Sequence, residues 1–220
     1  MTVTGTARNT VAAALAAAVL ALAPLPAWAG AQVEEHLAPS VVAGLQRAIA
    51  DNPVPADYAV KSGTRVWFDE MSKRLAPKMA DPLSRDEFIA TVHYEATRAG
   101  LDPQLVLGVI QHESNFRKYA VASADARGYM QVMPCWTKLI GNSEHNLFHL
   151  RTNLRYGCVI LRHYLDTENG DVYRALGRYN GSLGRPEYPT AVLGAMARNW
   201  LYAPATTPKI GALPTSVLVR

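Results

Sequence analysis

Apolar residues recur along the chain at the three- and four-residue spacings of an α-helix. The longest stripe consists of Leu147, Leu150, Leu154, Cys158, Leu161 and Leu165. Further helices are predicted over residues 40–51, 64–76, 83–100, 101–116, 171–181 and 186–202. Because no segment shows the strict alternation of a β-strand, the predicted fold class is mainly α.

Local signals mark where two of these helices begin and end. Ser84 is followed three residues later by Glu87, which predicts a capping box, and Gly100 is placed to end that helix. Asp102 and Pro103 predict the start of the next helix. Apolar side chains cover most of the circumference of this second helix, so we expect it to lie in the middle of the fold.

The N-terminal segment has the pattern of an export signal. Arg8 precedes an apolar stretch that ends in small residues at Ala29, which predicts a secretory signal peptide over residues 1–29. A membrane anchor is the alternative interpretation. The stretch is interrupted by Pro24 and Pro26, and no cysteine stands directly after it for lipid attachment, so we expect no stable membrane anchor after cleavage. The expected location is the periplasm of a bacterium.

The net charge and its distribution narrow the classes of partner. The 220 residues include 22 Lys and Arg against 18 Asp and Glu, a net charge of +4, and the basic residues form no run that favours nucleic acid.

The two cysteines, Cys135 and Cys158, both follow the signal segment. Cysteine pairs in exported proteins are commonly bridged, so we expect a disulfide that stabilises the fold by about 3 kcal/mol.

One acidic residue lies at the end of the apolar helix, in the stretch VIQHESNF. The helix dipole and apolar surroundings should raise the pKa of Glu113 there. A carboxylic acid that stays protonated near neutral pH can act as the general acid in glycosidic bond cleavage. A surface glutamate at a helix end is the alternative interpretation.

Histidines near this position raise the question of a metal site. The stretch HESNF does not match H-E-x-x-H, because Phe116 occupies the position of the second histidine. His145 and His149 are four residues apart, but no ligand set completes a site around them. No metal and no organic cofactor is expected.

Four motifs occur in a fixed order: HESNF at 112–116, VASADARGYMQVMP at 121–134, NLRYGCVILRHYL at 153–165 and ALGRYNGS at 175–182. Over about residues 86–200 this series resembles the catalytic domain of the soluble lytic transglycosylases, whose relatives include goose-type lysozyme. The resemblance implies a lysozyme-like helical domain that acts on peptidoglycan glycan strands. The expected organisation is a signal peptide over 1–29, an N-terminal helical flank over 30–85, a catalytic domain over 86–203 and a flexible tail over 204–220.

The resemblance also implies roles for individual residues. Glu113 would be the catalytic acid and base, and the Tyr179 hydroxyl would lie close to it. Substrate-binding roles would fall on Ser114, Met130, Gln131, Tyr179 and Asn180. Two structural alternatives stay open: Met130 can be core packing, and Asn180 can cap its helix before Gly181. Tyr129, where the family usually has leucine, would add a polar or stacking surface to the groove.

The implied reaction cleaves the bond between N-acetylmuramic acid and N-acetylglucosamine without water, giving 1,6-anhydromuramoyl ends. Asp125 stands where relatives commonly have glycine. It either adopts a glycine-like backbone conformation or supplies a second carboxylate, which would make the protein a lysozyme-like hydrolase. A wall-binding module without activity is a third hypothesis. A partner in a secretion or other envelope assembly is compatible with each of these hypotheses.

Overall fold

The computed structural model describes residues 36–50, 58 and 64–202, and within them the chain is helical. The helices are α1 (Pro39–Ile49), α2 (Arg65–Leu75), α3 (Pro82–Arg98), α4 (Pro103–Ser114), α5 (Cys135–Ile140), α6 (Leu150–Thr167), α7 (Val172–Asn180) and α8 (Glu187–Ala195), followed by a π-helical turn (Met196–Trp200). The only β-type pairings in these residues are isolated bridges of Arg127 with Val121 and with Val132. The mainly α prediction is confirmed. The predicted signal peptide and tail lie outside the described residues.

The helix starts follow from capping residues. Asp102 precedes α4, and its carboxylate accepts the N–H of Gln104 at 2.8 Å, as the sequence predicted. The capping box at Ser84 is wrong, because Asp81 caps α3 and accepts the N–H of Ser84 at 2.8 Å. Pro82 at the first helical position favours this earlier start, since its φ angle is already helical.

Helix α4 lies in the middle of the fold, as its apolar surface predicted. It packs against α3 on one side and against α8 with the π-helical turn on the other. A Cβ atom on Gly108 would lie 3.0 Å from the Val192 carbonyl oxygen and 3.1 Å from the Met196 Cβ. The glycine therefore lets the C-terminal part of α8 approach the α4 backbone closely.

The N-terminal helices pack on the rest of the domain through buried contacts. Arg155 of α6 forms a buried ion pair with Glu95 of α3, with 2.7 Å between Nη2 and Oε1. The same guanidinium donates to the Ala50 carbonyl oxygen at 2.7 Å, at the C-terminal end of α1. Helix α2 packs on α3 through Trp67 and His93, whose ring centroids are 4.9 Å apart. The part of the predicted flank that is described is therefore attached to the domain.

The predicted disulfide is absent from the structure, and Cys135 and Cys158 are both present as thiols. Cys158 lies on the buried face of α6, where burial raises the pKa of its thiol. Cys135 begins α5 and is only partly buried, and α5 packs on α1. Cys158 thus serves as a small apolar residue of the core, which corrects the expectation of a stabilising bridge.

Candidate active site

Glu113 lies in the last turn of α4, and its carboxylate is held by a tyrosine from α8. The hydroxyl of Tyr188 donates to Oε1 of Glu113 at 2.6 Å. Tyr188 is buried, and the His112 ring packs edge-on against it with centroids 5.0 Å apart. Asn115 ends α4 in the left-handed conformation, so the chain turns away directly after the acid. This geometry fixes the orientation of the carboxyl group while leaving it partly exposed.

Burial raises the pKa of Glu113 from 4.5 to about 7, and the hydrogen bond from Tyr188 acts in the opposite direction. The raised pKa predicted from the sequence agrees with this geometry. A carboxyl group with such a pKa is protonated in a large fraction of molecules near neutral pH, and it can also accept a proton once ionised. The site can therefore act as a general acid and then as a general base.

Two tyrosines, Tyr179 and Tyr188, are buried near one another in this region. The hydroxyl of Tyr179, in α7, donates to the Met130 carbonyl oxygen at 2.7 Å and is buried. The hydroxyl that bonds Glu113 belongs to Tyr188, which the prediction missed. The stretch PEYPT around Tyr188 carries no local signal for this role, since the contact depends on how α8 packs against α4.

The loop before α5 is folded around a glycine and an asparagine. Gly128 has φ +75, and a Cβ there would lie 2.5 Å from the Leu147 carbonyl oxygen. The Asn153 side chain donates to the carbonyl oxygens of Arg127 and Leu147 at 2.8 Å each, and it accepts the N–H of Met130 at 2.8 Å. Asn153 therefore fixes the turn formed by residues 128–131, the GYMQ motif. The sequence did not predict this role.

Side chains of the GYMQ motif face the protein rather than a groove. Met130 is fully buried, and a Cβ on Gly157 would lie 2.4 Å from its sulfur, which favours the core-packing interpretation of Met130. Tyr129 is buried against the Phe88 ring, with centroids 4.9 Å apart, and burial raises the pKa of its phenol. The added groove surface expected from Tyr129 is not there, because its ring fills space in the core.

Gln131 and Ser114 hold backbone in place. The Gln131 residue has a φ of 49°, and its Nε2 donates to the carbonyl oxygens of Ala120 at 3.0 Å and Gly128 at 2.9 Å. The Ser114 hydroxyl donates to the Ile110 carbonyl oxygen at 3.2 Å within its own helix. In this structure Gln131 therefore stabilises the loop before α5, and Ser114 bonds the last turn of α4, which carries Glu113.

Asn180 and Asp125 each lie next to a left-handed turn. Asn180 is nearly buried at the end of α7, where Gly181 closes the helix with φ 72. Asp125 has φ 66, and its two carboxylate oxygens accept from Arg127 Nε at 3.0 Å and Nη2 at 2.9 Å. The glycine-like backbone of Asp125 favours the conformational explanation for this residue over a second catalytic carboxylate.

Comparison with known proteins adds to this geometry. Residues 90–189 match the family model described as the transglycosylase SLT domain. This segment belongs to the transglycosylase SLT domain family. The match contains Glu113, Tyr188 and all four sequence motifs, and the family recognised from those motifs is confirmed.

Curated relatives of this chain are named transglycosylases. It is 32% identical over 136 residues to a transglycosylase of Enterobacteria phage PRD1, covering 57% of this chain and 49% of the relative. It is 31% identical over 127 residues to membrane-bound lytic murein transglycosylase C of Yersinia pestis (strain Pestoides F), covering 50% and 35%. The chain thus spans about half or less of these relatives.

A solved structure, an inactive mutant of the lytic transglycosylase Slt from Pseudomonas aeruginosa, aligns with a TM-score of 0.41 at 19% identity. The alignment covers 77% of this chain and 35% of that chain.

None of the helices that are described is both long and apolar enough to span a bilayer. In the same part of the chain, no three His, Cys, Asp or Glu side chains are grouped so that they could bind a metal ion. His145 instead forms a 2.8 Å hydrogen bond with the Tyr156 hydroxyl.

Proposed function

We propose that this protein is a peptidoglycan lytic transglycosylase in which Glu113 is the single general acid and base. The observation that carries the proposal is the carboxyl group of Glu113, which has a pKa of about 7 and is held by Tyr188 within an SLT domain. The relatives that are named lytic murein transglycosylases support the choice of substrate.

The reaction needs two proton transfers, and both involve the carboxyl group of Glu113. Protonated Glu113 gives its proton to the glycosidic oxygen between N-acetylmuramic acid and N-acetylglucosamine, and the C1–O bond breaks. The acetamido group of the substrate stabilises the cationic centre at C1. Ionised Glu113 then takes the proton of the muramoyl 6-hydroxyl, whose oxygen bonds C1 and closes the 1,6-anhydro ring. A pKa near neutrality suits both steps, because neither protonation state is strongly favoured.

Tyr188 supports both protonation states of the acid. Its hydroxyl donates to Oε1, which leaves Oε2 to carry the proton that is transferred. After transfer, the same hydrogen bond stabilises the carboxylate. Tyr188 is therefore a positioning residue in this proposal.

A lysozyme-like hydrolase is the second candidate, and it depends on Asp125. Hydrolysis would need this carboxylate to hold a water molecule, but both of its oxygens are bound by Arg127. We expect Asp125→Gly to leave the products unchanged, because glycine adopts the same positive φ without strain. A change from hydrolysed to anhydro ends in Asp125→Gly would instead identify Asp125 as the water-activating base.

The deciding experiment is mass spectrometry of the sugar ends that the mature protein releases from purified peptidoglycan, with Glu113→Gln as the control. Anhydromuramoyl ends that disappear in the control are the expected result. Reducing ends would favour the hydrolase. No release by the unchanged protein would overturn the enzymatic proposal and favour the wall-binding module.

Location and context follow as parts of the same proposal. The signal pattern of residues 1–29 directs the protein to the periplasm, where peptidoglycan lies. Residues 86–203 would form the catalytic unit and residues 30–85 its flank, and an envelope assembly or secretion machine is a compatible partner. Deleting residues 30–62 should lower the melting temperature, because this deletion removes α1 and its buried contacts with Arg155. An unchanged melting temperature would contradict the flank assignment.

A further inference from the structure

A cleft of about 530 Å³ opens beside the end of α4, and much of its lining comes from outside the SLT domain match. Arg74 and Lys78 enter it from the end of α2 and the residues that follow, and Arg198 enters it from the π-helical turn. Gln111, Phe116 and Trp200 line it as well. Gln111 and Phe116 flank Glu113 in the chain, so the cleft and the acid share the same end of α4.

The lining is strongly basic, because no Asp or Glu is among the described residues that line it. Arg74 is held in place, since it pairs with Glu70 at 2.7 Å and its Nη1 donates to the Asn199 carbonyl oxygen at 3.0 Å. Lys78 and Arg198 are exposed, and neither forms an ion pair with any residue that the structure describes. Two cations of the cleft are thus available to an anionic ligand.

The remaining wall is rigid and already hydrogen-bonded. Oε1 of Gln111 accepts from Trp200 Nε1 at 2.7 Å and from Asn199 Nδ2 at 3.0 Å. The Phe116 and Trp200 rings pack edge to face with centroids 5.2 Å apart. The chain forms π-type helix here, a feature that occurs frequently at functional sites. The cleft is therefore preformed, with an apolar wall beside its cations.

We infer that this cleft binds the carboxylates of the peptide arms carried by the glycan strands. The inference rests on the proposed function, because it takes peptidoglycan as the substrate. Neutral sugars do not require unpaired cations, whereas the peptide arms of peptidoglycan carry several free carboxylates and short aliphatic stems. A volume of this size is in the range of sites that hold small molecules, so it accommodates a short peptide.

The test compares two substrates that differ in their peptides and, where a peptide has been removed, in one free lactyl carboxylate on each muramoyl residue. One is intact peptidoglycan strands, and the other is the same strands after an amidase has removed the peptides. For the double variant Lys78→Ala, Arg198→Ala, we expect KM on intact strands to rise about tenfold, at about three- to fivefold for each exposed cation, with kcat unchanged. On stripped strands KM should stay the same. Lys138→Ala, which removes an exposed cation on α5, is the matched control and should change neither value.

An equal rise of KM on both substrates, or no rise on either, would overturn the inference. Binding is measured separately by calorimetry, using Glu113→Gln and the soluble tripeptide alanyl-γ-glutamyl-diaminopimelate. Binding that is lost when Lys78 and Arg198 are also replaced would support the cleft even if no cleavage were detected, in which case only the proposed reaction would fail. Absence of tripeptide binding together with normal cleavage would refute the cleft alone.

Discussion

Replacing Glu113 by glutamine should stabilise the folded protein at pH 8 and change its stability little at pH 5. Burial raises the pKa of Glu113 from 4.5 to about 7, so the folded state binds this proton more tightly than the unfolded state. The stability due to the bound proton is therefore fully present below pH 4.5 and is lost as the pH rises through about 7. Glutamine has nearly the same shape, can still accept the Tyr188 hydrogen bond and carries no charge.

The magnitude follows from the size of the pKa rise. A rise from 4.5 to about 7 corresponds to a maximum of about 3 kcal/mol at pH 8, at about 1.4 kcal/mol for each pH unit. Partial exposure of the side chain lets water stabilise the carboxylate, so we expect Glu113→Gln to gain about 2 kcal/mol at pH 8.

Urea unfolding of both proteins at pH 5, 6, 7 and 8 measures this difference. The matched control is Glu144→Gln, which removes a carboxylate from an exposed loop and should stay within about 0.5 kcal/mol of the unchanged protein at every pH. Stability curves that run parallel for Glu113→Gln and the unchanged protein would show that the carboxyl group is not destabilised by burial. The general-acid argument would then lose its physical basis.

Three further substitutions test the support around the site. Tyr188→Phe removes the bond that lowers the pKa of Glu113, so the alkaline limb of the kcat/KM profile should move up by about one pH unit, as a pH-rate measurement would show. Arg155→Ala leaves Glu95 buried without its main partner and should lower the free energy of unfolding by about 3–5 kcal/mol in urea titrations. Gly108→Ala should cost about 1–3 kcal/mol and reduce activity, since the new methyl group pushes α8 away; unchanged thermal melting and kinetics would contradict the close packing.

Helix positions could be predicted from the sequence because the signals that set them are local. The Asp102 cap and Pro103 act within one turn, and the apolar surface of α4 requires burial wherever the rest of the chain lies. The position of Glu113 at the end of a buried helix followed from the same pattern. Even the error at Ser84 was local, because Asp81 lies only three residues away and accepts its N–H.

The partners of the acid could not be predicted, because they depend on packing between distant segments. Tyr179 and Tyr188 are both buried, and the bond from Tyr188 to the carboxylate forms because α8 packs against α4, which no local sequence pattern shows. Motif residues such as Met130 were expected at the substrate, yet Met130 packs beneath the site. The residues of a motif can be required for the packing of the domain and not for contact with the substrate.

Tyr188, which the sequence did not predict, stays protonated over the pH range in which Glu113 titrates. Burial and the neighbouring Glu113 both raise the pKa of Tyr188, so its hydroxyl keeps its proton and remains a donor throughout the pH range in which Glu113 titrates. Of this hydrogen-bonded pair, Glu113 is the member that changes charge near neutral pH, in an environment where burial and the Tyr188 hydrogen bond act in opposite directions. If burial acted alone, the carboxyl group would be a weaker acid, and if the hydrogen bond acted alone it would be ionised at neutral pH. The balance between the two leaves one carboxyl group able to give a proton and then accept another, which is what the proposed single-carboxylate mechanism requires.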